Sequence, residues 1–507
     1  MRFHHALIRD AAYEGLPYRK RRELHARVGD SIRAAAGDSP QEQAELLSLH
    51  YYAAARWDEA WTYSRVAGDK AREVYANVEA ARFYERALAA APRLDCLGRA
   101  EPVEVAVRLA EVREHAGLFD AALDGLERAR RLAGDDPLSR ADIRYRRARV
   151  LMRTGAFRTA FRETMRGYRS IESRRGSEPT RARARLVRLS SALRLMEGRP
   201  SDARVLAERA AAEAETVGDR LELANAYAVL DGALVDLGEG VRAGVFAEKA
   251  VEIYSASGDL PGLGTVEVSI GVRAYAEGRW DDAVAAYLRA QNAFQRAGNE
   301  AQAALAAGNI GEVLVSQGRF AEAEPLLAET IRVLRAHASA GPALFCEMQI
   351  GRLKLGTGAF EEAARFLART REEAAAIGIR GLASEAGIHL AATLTRQGDH
   401  DRALDVLDAE DERAGELVAA LGGALACARA ETLLAVGRLD EASAVVASGL
   451  IVSGEHDALY DRARLLVLEA RLDRARGKSG AEALREAGDL LQRLGVIAVP
   501  CVYGNAR

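Results

Sequence analysis

The sequence contains few of the residues that would indicate a secreted, metal-binding or β-rich protein. Its 507 residues include four cysteines and 11 prolines, and aromatic residues make up only 6%. Because Cys96, Cys346, Cys427 and Cys501 lie far apart, no C-x-x-C metal or redox motif can form. Such cysteine usage is typical of a reducing compartment, so we expect a cytoplasmic protein. Scarce aromatic residues and abundant alanine favour packed helices over sheets.

Motifs for catalysis, cofactor binding and membrane insertion are also missing. The sequence has no H-E-x-x-H, G-x-S-x-G or G-x-x-x-x-G-K-[ST], and the Gly-Lys-Ser at Gly477 coincides with a repeated turn. The longest apolar run, Leu417 to Ala428, is shorter than the about 20 residues that span a bilayer. A lone histidine such as His389 is more often a surface or groove residue than a metal ligand. We therefore expect a non-catalytic protein without a cofactor or metal, one that neither hydrolyses ATP nor makes cyclic nucleotides.

The sequence has instead a repeat of about 40 residues. The stretch GRWDDAVAAYLRA at Gly278 is followed by GRFAEAEPLLAET at Gly318 and by GAFEEAARFLART at Gly358. Turn glycines recur, each with an alanine five residues later in all copies but the last, at Gly117, Gly155, Gly198, Gly238, Gly278, Gly318, Gly358, Gly398, Gly437 and Gly477. A repeat of this length indicates a solenoid, in which each unit contacts only its neighbours.

Each repeat unit is predicted to form two helices joined by a glycine turn. A second glycine follows about twenty residues after the first, as at Gly218, Gly258 and Gly298, with Asp or Asn next to it. Glycine supplies the left-handed end of one helix, and the following Asp or Asn caps the next. A further glycine recurs seven residues before the turn at Gly271 and Gly311, where we expect the backbone of the partner helix to pass close by.

These positions resemble the tetratricopeptide repeat. That family has a small residue in its first helix, a glycine turn, an aromatic residue, an alanine, a large residue and a second alanine. The matching positions of one copy are Gly271, Gly278, Trp280, Ala283, Tyr287 and Ala290. The period of 40 residues exceeds the usual length of about 34, as in the long-helix variants of bacterial signalling proteins. The resemblance implies an all-α, right-handed superhelical solenoid of about twelve hairpins over residues 41–494, followed by a C-terminal tail at 495–507.

The first forty residues match no repeat and form a predicted helical adaptor. They resemble a segment that follows the ATPase module of bacterial signal-transduction ATPases of the STAND class, which are often fused to adenylate or guanylate cyclases. The matching residues are Phe3, His5, Leu7, Arg9, Asp10, Ala12 and Tyr13. The resemblance implies nucleotide sensing by His5, although this chain contains no ATPase or cyclase motif. Two functions stay open: a sensor arm of such an ATPase or cyclase, or a free-standing adaptor that recruits proteins. The resemblance suggests the carboxyl-terminal half of a larger protein.

Charge is unevenly distributed along the repeats. Residues 128–199 contain 21 arginines, no lysine and 7 acidic residues, a net charge of +14, whereas the whole chain carries −3. The first helices of such arrays line a groove, and their phase places Tyr145, Arg149, Met152, Arg153, Arg185 and Arg188 in it. Those arginines either pair with neighbouring acids or bind an anionic protein or peptide in the groove. Nucleic acid is a weaker candidate because aromatic residues are few. Asn225 and Tyr275 are further groove candidates.

Overall fold

The structure, a computed structural model, describes residues 15–498 except 75, 96, 238, 338, 415–417 and 456–457. Within these ranges the chain forms 24 α-helices and no strand, so the all-α prediction is confirmed. The chain divides into unit 1, residues 1–222, and unit 2, residues 223–507. The segment from Phe3 to Tyr13, including the candidate His5, lies outside the described residues. No helix in the described ranges is both long and apolar enough to cross a bilayer.

Unit 1 is a series of antiparallel helices connected by short turns. Its helices are α1 (Tyr18–Ala35), α2 (Ala44–Ala53), α3 (Trp57–Glu73), α4 (Asn77–Ala90), α5 (Ala100–His115), α6 (Phe119–Ala133), α7 (Pro137–Arg153), α8 (Phe157–Ile171), α9 (Ser177–Met196) and α10 (Pro200–Thr216). The boundary between the units lies within α11 (Arg220–Asp236).

Unit 2 continues the same alternation of first and second helices. Its helices after α11 are α12 (Gly240–Ser257), α13 (Leu260–Ala276), α14 (Trp280–Arg296), α15 (Glu300–Gln317), α16 (Phe320–Ala336), α17 (Ala340–Gly356), α18 (Phe360–Ala376), α19 (Arg380–Gln397), α20 (His400–Ala414), α21 (Val418–Ala435), α22 (Leu439–Glu455), α23 (Leu459–Ala475) and α24 (Ala481–Arg493).

The repeated glycines and alanines have the structural roles that their spacing predicts. Nine of the ten turn glycines are described, and all nine have φ between 70° and 84°, the left-handed region that favours glycine. This includes Gly477, so the Gly-Lys-Ser there lies on a turn. The nine alanines five residues after a turn glycine, from Ala122 to Ala442, are completely buried. Asp259 and Asn299 accept hydrogen bonds from the backbone N–H groups of Gly262 and Gln302, which confirms the predicted caps.

The number of hairpins agrees with the expected count of about twelve. Ten hairpins run from α5 to α24, and an eleventh, α2–α3, turns at Ala55, a non-glycine residue with φ 57°. Residues Asn77 to Leu88 form the single helix α4 instead of a hairpin of their own. Helix α4 packs against α3, where the ring of Tyr84 lies over Gly68. The described part of the chain therefore contains eleven hairpins plus α1 and α4.

The recurrent glycine within the first helices faces a side chain, so the expected contact with the partner backbone is wrong. A Cβ atom on Gly311 would lie 2.5 Å from Cδ2 of Leu327, and one on Gly351 would lie 2.7 Å from Cδ2 of Leu367. In both pairs the partner follows sixteen residues later, on the second helix of the same hairpin, and is fully buried. The glycine is needed because a large side chain of the second helix occupies the space that a Cβ atom would take.

Candidate ligand-binding cavity

The arginine-rich helices of unit 1 bring two of the predicted groove residues together. Arg188 on α9 donates a hydrogen bond from Nη2 to the hydroxyl of Tyr145 on α7, at 3.3 Å. Its Nε donates to Oε1 of Glu222 at 2.5 Å, and the arginine side chain is only 18% exposed. The negative charge of Glu222 raises the pKa of Arg188, in opposition to the lowering effect of burial. Arg188 is therefore already held by partners within unit 1.

The other predicted arginines differ in how far they are paired. Arg149 and Arg153 each place a guanidinium nitrogen 3.6 Å from the same carboxylate oxygen, Oε1 of Glu114. Arg185 is exposed, and no ion pair is found for it among the described residues. Most of these contacts favour the interpretation that the arginines pair with acids on neighbouring helices. An anionic partner for this surface stays a prediction.

In unit 2 the last helices return to the first ones and close a cavity. The ring of Tyr460, on α23, lies 5.4 Å from the ring of Trp280 at the start of α14. Beyond α24, the backbone N–H of Ile497 donates to the carbonyl of Gln317 at 2.8 Å, and the Gln317 side chain donates to the carbonyl of Leu494. The first residues of the predicted tail therefore pack against α15. The hydrogen bond between Gln317 and Leu494 joins residues that are 177 positions apart in the sequence.

The cavity is half open to solvent, has a volume of about 330 Å³ and is lined by the first helix of every hairpin from α13 to α23. Aromatic rings form one wall. The rings of Tyr275 and Trp280 stack at 5.4 Å with an interplanar angle of 12°, and Tyr460 lies beside them. The indole N–H of Trp280 donates to the carbonyl of Tyr275 at 3.1 Å, and the Tyr275 hydroxyl contacts Ser316 at 3.0 Å. These hydrogen bonds fix the orientation of the rings.

Two arginines that line the cavity beside the aromatic rings are held by neighbouring polar groups. Arg352 donates from Nη1 to Gln349 at 2.7 Å and from Nη2 to Ser316 at 3.0 Å, and Nη1 lies 3.8 Å from Glu312. Arg464 donates from Nη1 to Asp461 at 3.1 Å, and its guanidinium lies over the ring of Tyr460. Both arginine side chains are at least nine-tenths buried.

Glu385 and His389, one turn apart on α19, complete the lining. Oε1 of Glu385 lies 4.0 Å from Nε2 of His389, too far for a hydrogen bond. The His389 side chain is only 7% exposed, and its ring has no hydrogen bond to any described residue. Burial, together with the charges of Arg352 and Arg464, holds the pKa of His389 well below its usual value. His389 is thus a neutral ring that faces the cavity with its hydrogen-bonding capacity unused.

The cavity also shifts the titration of its carboxyl groups. Burial raises the pKa of Glu312 to about 7, an effect increased by Glu385 and only partly offset by Arg352. Burial likewise raises the pKa of Glu385, again with a partial offset from Arg352. The site therefore holds two carboxyl groups that gain a proton more readily than in water. Perturbed carboxyl groups beside a concave aromatic wall are typical of a binding site.

Of the groove residues predicted in unit 2, the structure places one in the cavity. Tyr275 is part of the aromatic wall. Asn225 instead accepts a hydrogen bond from the Tyr254 hydroxyl at 2.9 Å, and it does not line the cavity. Sequence reasoning did not single out Glu312, Arg352, Glu385 or Arg464, and it named His389 only as a surface or groove residue. Their spacing was a usable signal, since Glu312 and Arg352 both lie six residues before a turn glycine and Glu385 and Arg464 both lie thirteen before one.

Neither the sequence nor the described residues offer a metal site. Within the ranges that the structure describes, no group of three His, Cys, Asp or Glu side chains could hold a metal ion. Cys346 and Cys427 are buried and reduced, and burial raises the pKa of Cys346 to about 12.

The repeat itself matches a known family. Residues 262–336, which span α13 to α16 and include Tyr275, Trp280 and Glu312, match the sequence model of the tetratricopeptide repeat. This part of unit 2 carries tetratricopeptide repeats. No curated protein sequence matches the chain.

Solved structures resemble the tetratricopeptide-repeat array at low sequence identity. A Rap protein complexed with Competence and Sporulation Factor is 14% identical, with a TM-score of 0.55 over 70% of this chain and 99% of that chain. A Signal Transduction ATPase with Numerous Domains (STAND) protein with a tetratricopeptide repeat sensor, from Pyrococcus horikoshii, is also 14% identical, with a TM-score of 0.42 over 72% of this chain and 54% of that chain. The first of these likenesses shows a shared fold, and neither shows a shared ligand or partner.

Proposed function

We propose that the protein is a non-catalytic tetratricopeptide scaffold whose unit 2 cavity binds a small ligand or the end of a peptide. The observation that carries this proposal is the aromatic-walled cavity lined by the His389 ring, which has no hydrogen bond to any described residue. A polar group that lines a cavity without a hydrogen bond to the protein is available to a ligand. The cavity volume lies at the lower end of the range for ligand sites, about 300–1,000 Å³.

A more specific role within this function is that of a sensor arm. We propose that ligand binding in unit 2 is passed to a signal-transduction ATPase or nucleotide cyclase, in the same chain or in a partner. The resemblance of residues 3–29 to the segment after a STAND ATPase module supports this role. The alternative is a free-standing adaptor that recruits proteins without nucleotide chemistry. The DNA upstream of the codon for Met1 distinguishes the two: an in-frame P-loop supports the sensor arm, and a stop codon with a ribosome-binding site supports the adaptor.

A pocket-blocking variant tests the binding function. Ala276 is exposed at the edge of the cavity, so Ala276→Trp should fill the entrance without disturbing the core. We expect at least one member of a library of amino acids, dipeptides and small amines to raise the melting temperature of the wild-type protein saturably, and to leave the variant unaffected.

The matched control is Ala297→Trp, an exposed alanine that does not line the cavity. It should respond to the ligand as the wild type does. Stabilisation of the Ala276→Trp variant to the same extent as the wild type would show that the ligand binds elsewhere and would contradict the proposed function.

A further inference from the structure

We infer that the ligand of the unit 2 cavity carries a primary ammonium or guanidinium group beside an aromatic or apolar group, and that Glu385 is its counter-ion. This inference rests on the proposed binding function and names the chemical class of the ligand. It follows from the accessibility of the charged groups, from the unpaired histidine and from the aromatic residues of the cavity.

The charged groups that are most open to this cavity are negative. Arg352 and Arg464 are 8% and 6% exposed, and both already donate hydrogen bonds within the wall. The carboxylates are more open: Glu385 is 28% exposed, Asp461 19% and Glu312 17%. Among the described residues no guanidinium or ammonium group lies within 4.0 Å of the Glu385 carboxylate. An incoming cation therefore finds an unpaired carboxylate, whereas an incoming anion finds only arginines that are already engaged.

His389 adds an acceptor at the same place. Because its ring is neutral, it adds no positive charge that would repel a cation. One ring nitrogen of a neutral histidine accepts a hydrogen bond, and Nε2 lies 4.0 Å from the Glu385 carboxylate. An ammonium group between these two side chains can donate one hydrogen bond to each. It would supply the partner that the buried ring lacks.

The aromatic residues of the cavity suit the rest of such a ligand. Tyr275, Trp280 and Tyr460 present aromatic rings, which pack against apolar groups and attract cations through their faces. A volume of about 330 Å³ corresponds to roughly eleven water molecules at about 30 Å³ each. The ligand part inside the cavity is thus about as large as one aromatic or basic amino acid.

The titration of the wall is consistent with a missing positive charge. The carboxyl pKa values of Glu312 and Glu385 are both raised because burial disfavours their ionised forms more than Arg352 restores them. A bound cation would favour the ionised carboxylates and so lower the pKa values of Glu312 and Glu385 towards their usual range.

Three probes of similar shape and different charge test the inference on the full-length protein: phenethylamine, 2-phenylethanol and 3-phenylpropionate. We expect calorimetry to show saturable binding of phenethylamine, weaker binding of the neutral alcohol and the weakest binding of the anion. Glu385→Gln removes the charge but keeps the shape, and should weaken phenethylamine binding about tenfold to a hundredfold, the range for a hydrogen bond to a charged group. The control Glu372→Gln changes an exposed carboxylate outside the cavity and should leave binding unchanged.

The wild-type comparison needs no variant, so it decides the question even if Glu385→Gln folds poorly. Absence of phenethylamine binding, or an equal affinity in the Glu385→Gln variant, would overturn the inference. Tighter binding of 3-phenylpropionate than of phenethylamine, lost in Ala276→Trp, would also overturn it but would leave the proposed function standing. Failure of every probe and of every library member to bind the cavity would instead reject the proposed function.

Discussion

Arg273→Met is expected to lower the free energy of unfolding by about 3–5 kcal/mol, the usual cost of breaking a buried ion pair from one side. Arg273 on α13 forms an ion pair with Oδ1 of Asp231, and the two side chains are 10% and 1% exposed. The other carboxylate oxygen of Asp231 is buried and has no hydrogen-bond partner among the described residues. Removal of the guanidinium leaves this carboxylate buried and uncompensated. Urea denaturation of the full chain at about pH 8 measures the cost.

The loss should depend on pH in a defined direction. Burial raises the pKa of Asp231 above its unfolded value, and Arg273 offsets part of that rise. A raised carboxyl pKa means that the folded state takes up the proton, so stability falls as pH rises from the unfolded pKa of about 4 through the folded pKa. Without Arg273 the folded pKa rises further, so the deficit should be largest at about pH 8 and should shrink towards about pH 5.

Two variants provide the comparison for Arg273→Met. The double variant Asp231→Asn, Arg273→Met should recover much of the lost stability, because no charge is then left buried. Arg332→Met removes an exposed arginine that pairs with another exposed residue, Glu329. This variant should leave the denaturation midpoint unchanged. A cost for Arg273→Met no greater than that for Arg332→Met would show that the buried pair does not stabilise unit 2.

Gly311→Leu should cost about 1–3 kcal/mol because it overpacks the contact between α15 and α16. The new Cβ atom would lie 2.5 Å from Cδ2 and 2.8 Å from Cγ of Leu327, which is fully buried and cannot move aside. In a solenoid the damage should stay local at first. Hydrogen exchange should therefore increase over residues 299–340 before it increases near residue 150.

Gly381→Leu is the matched control for this substitution. Gly381 is also helical, but no atom lies within 4 Å of the position that its Cβ would occupy. Replacement of an unhindered helical glycine should stabilise the helix slightly, by about 0.5–1 kcal/mol. Uniform loosening of the whole chain by Gly311→Leu would argue against nearest-neighbour packing, as would an equal cost for Gly381→Leu.

Sequence alone predicted the repeat geometry because each turn and each buried position depends on residues that are close together in the sequence. A glycine such as Gly318 needs a left-handed backbone, and an alanine such as Ala323 is buried five residues later, so spacing predicts the turn and the packed face together. The prediction for the glycine within the first helix was wrong, because the glycine pattern does not show which atoms lie beside Gly311. The space is filled by the side chain of Leu327, not by the backbone of the partner helix.

The site was harder to predict because it depends on contacts that cross many repeats. Tyr275 was named as a groove candidate, but the cavity is also lined by Tyr460, which contacts Trp280 from a helix much later in the chain. No local pattern predicts that contact. The large number of arginines near Arg188 suggested a surface for an anionic partner, but Arg188 itself is paired with Glu222. At Glu385 the decisive feature is the absence of a nearby cation, which a sequence does not show.

A crystal structure of the full-length protein with phenethylamine tests the central claim most directly. We expect the ammonium nitrogen within hydrogen-bond distance of the Glu385 carboxylate and the Nε2 atom of His389, with the phenyl ring against Tyr275 and Trp280. An unoccupied cavity in crystals soaked to saturation, or a ligand bound outside the ring of helices from α13 to α23, would contradict the account.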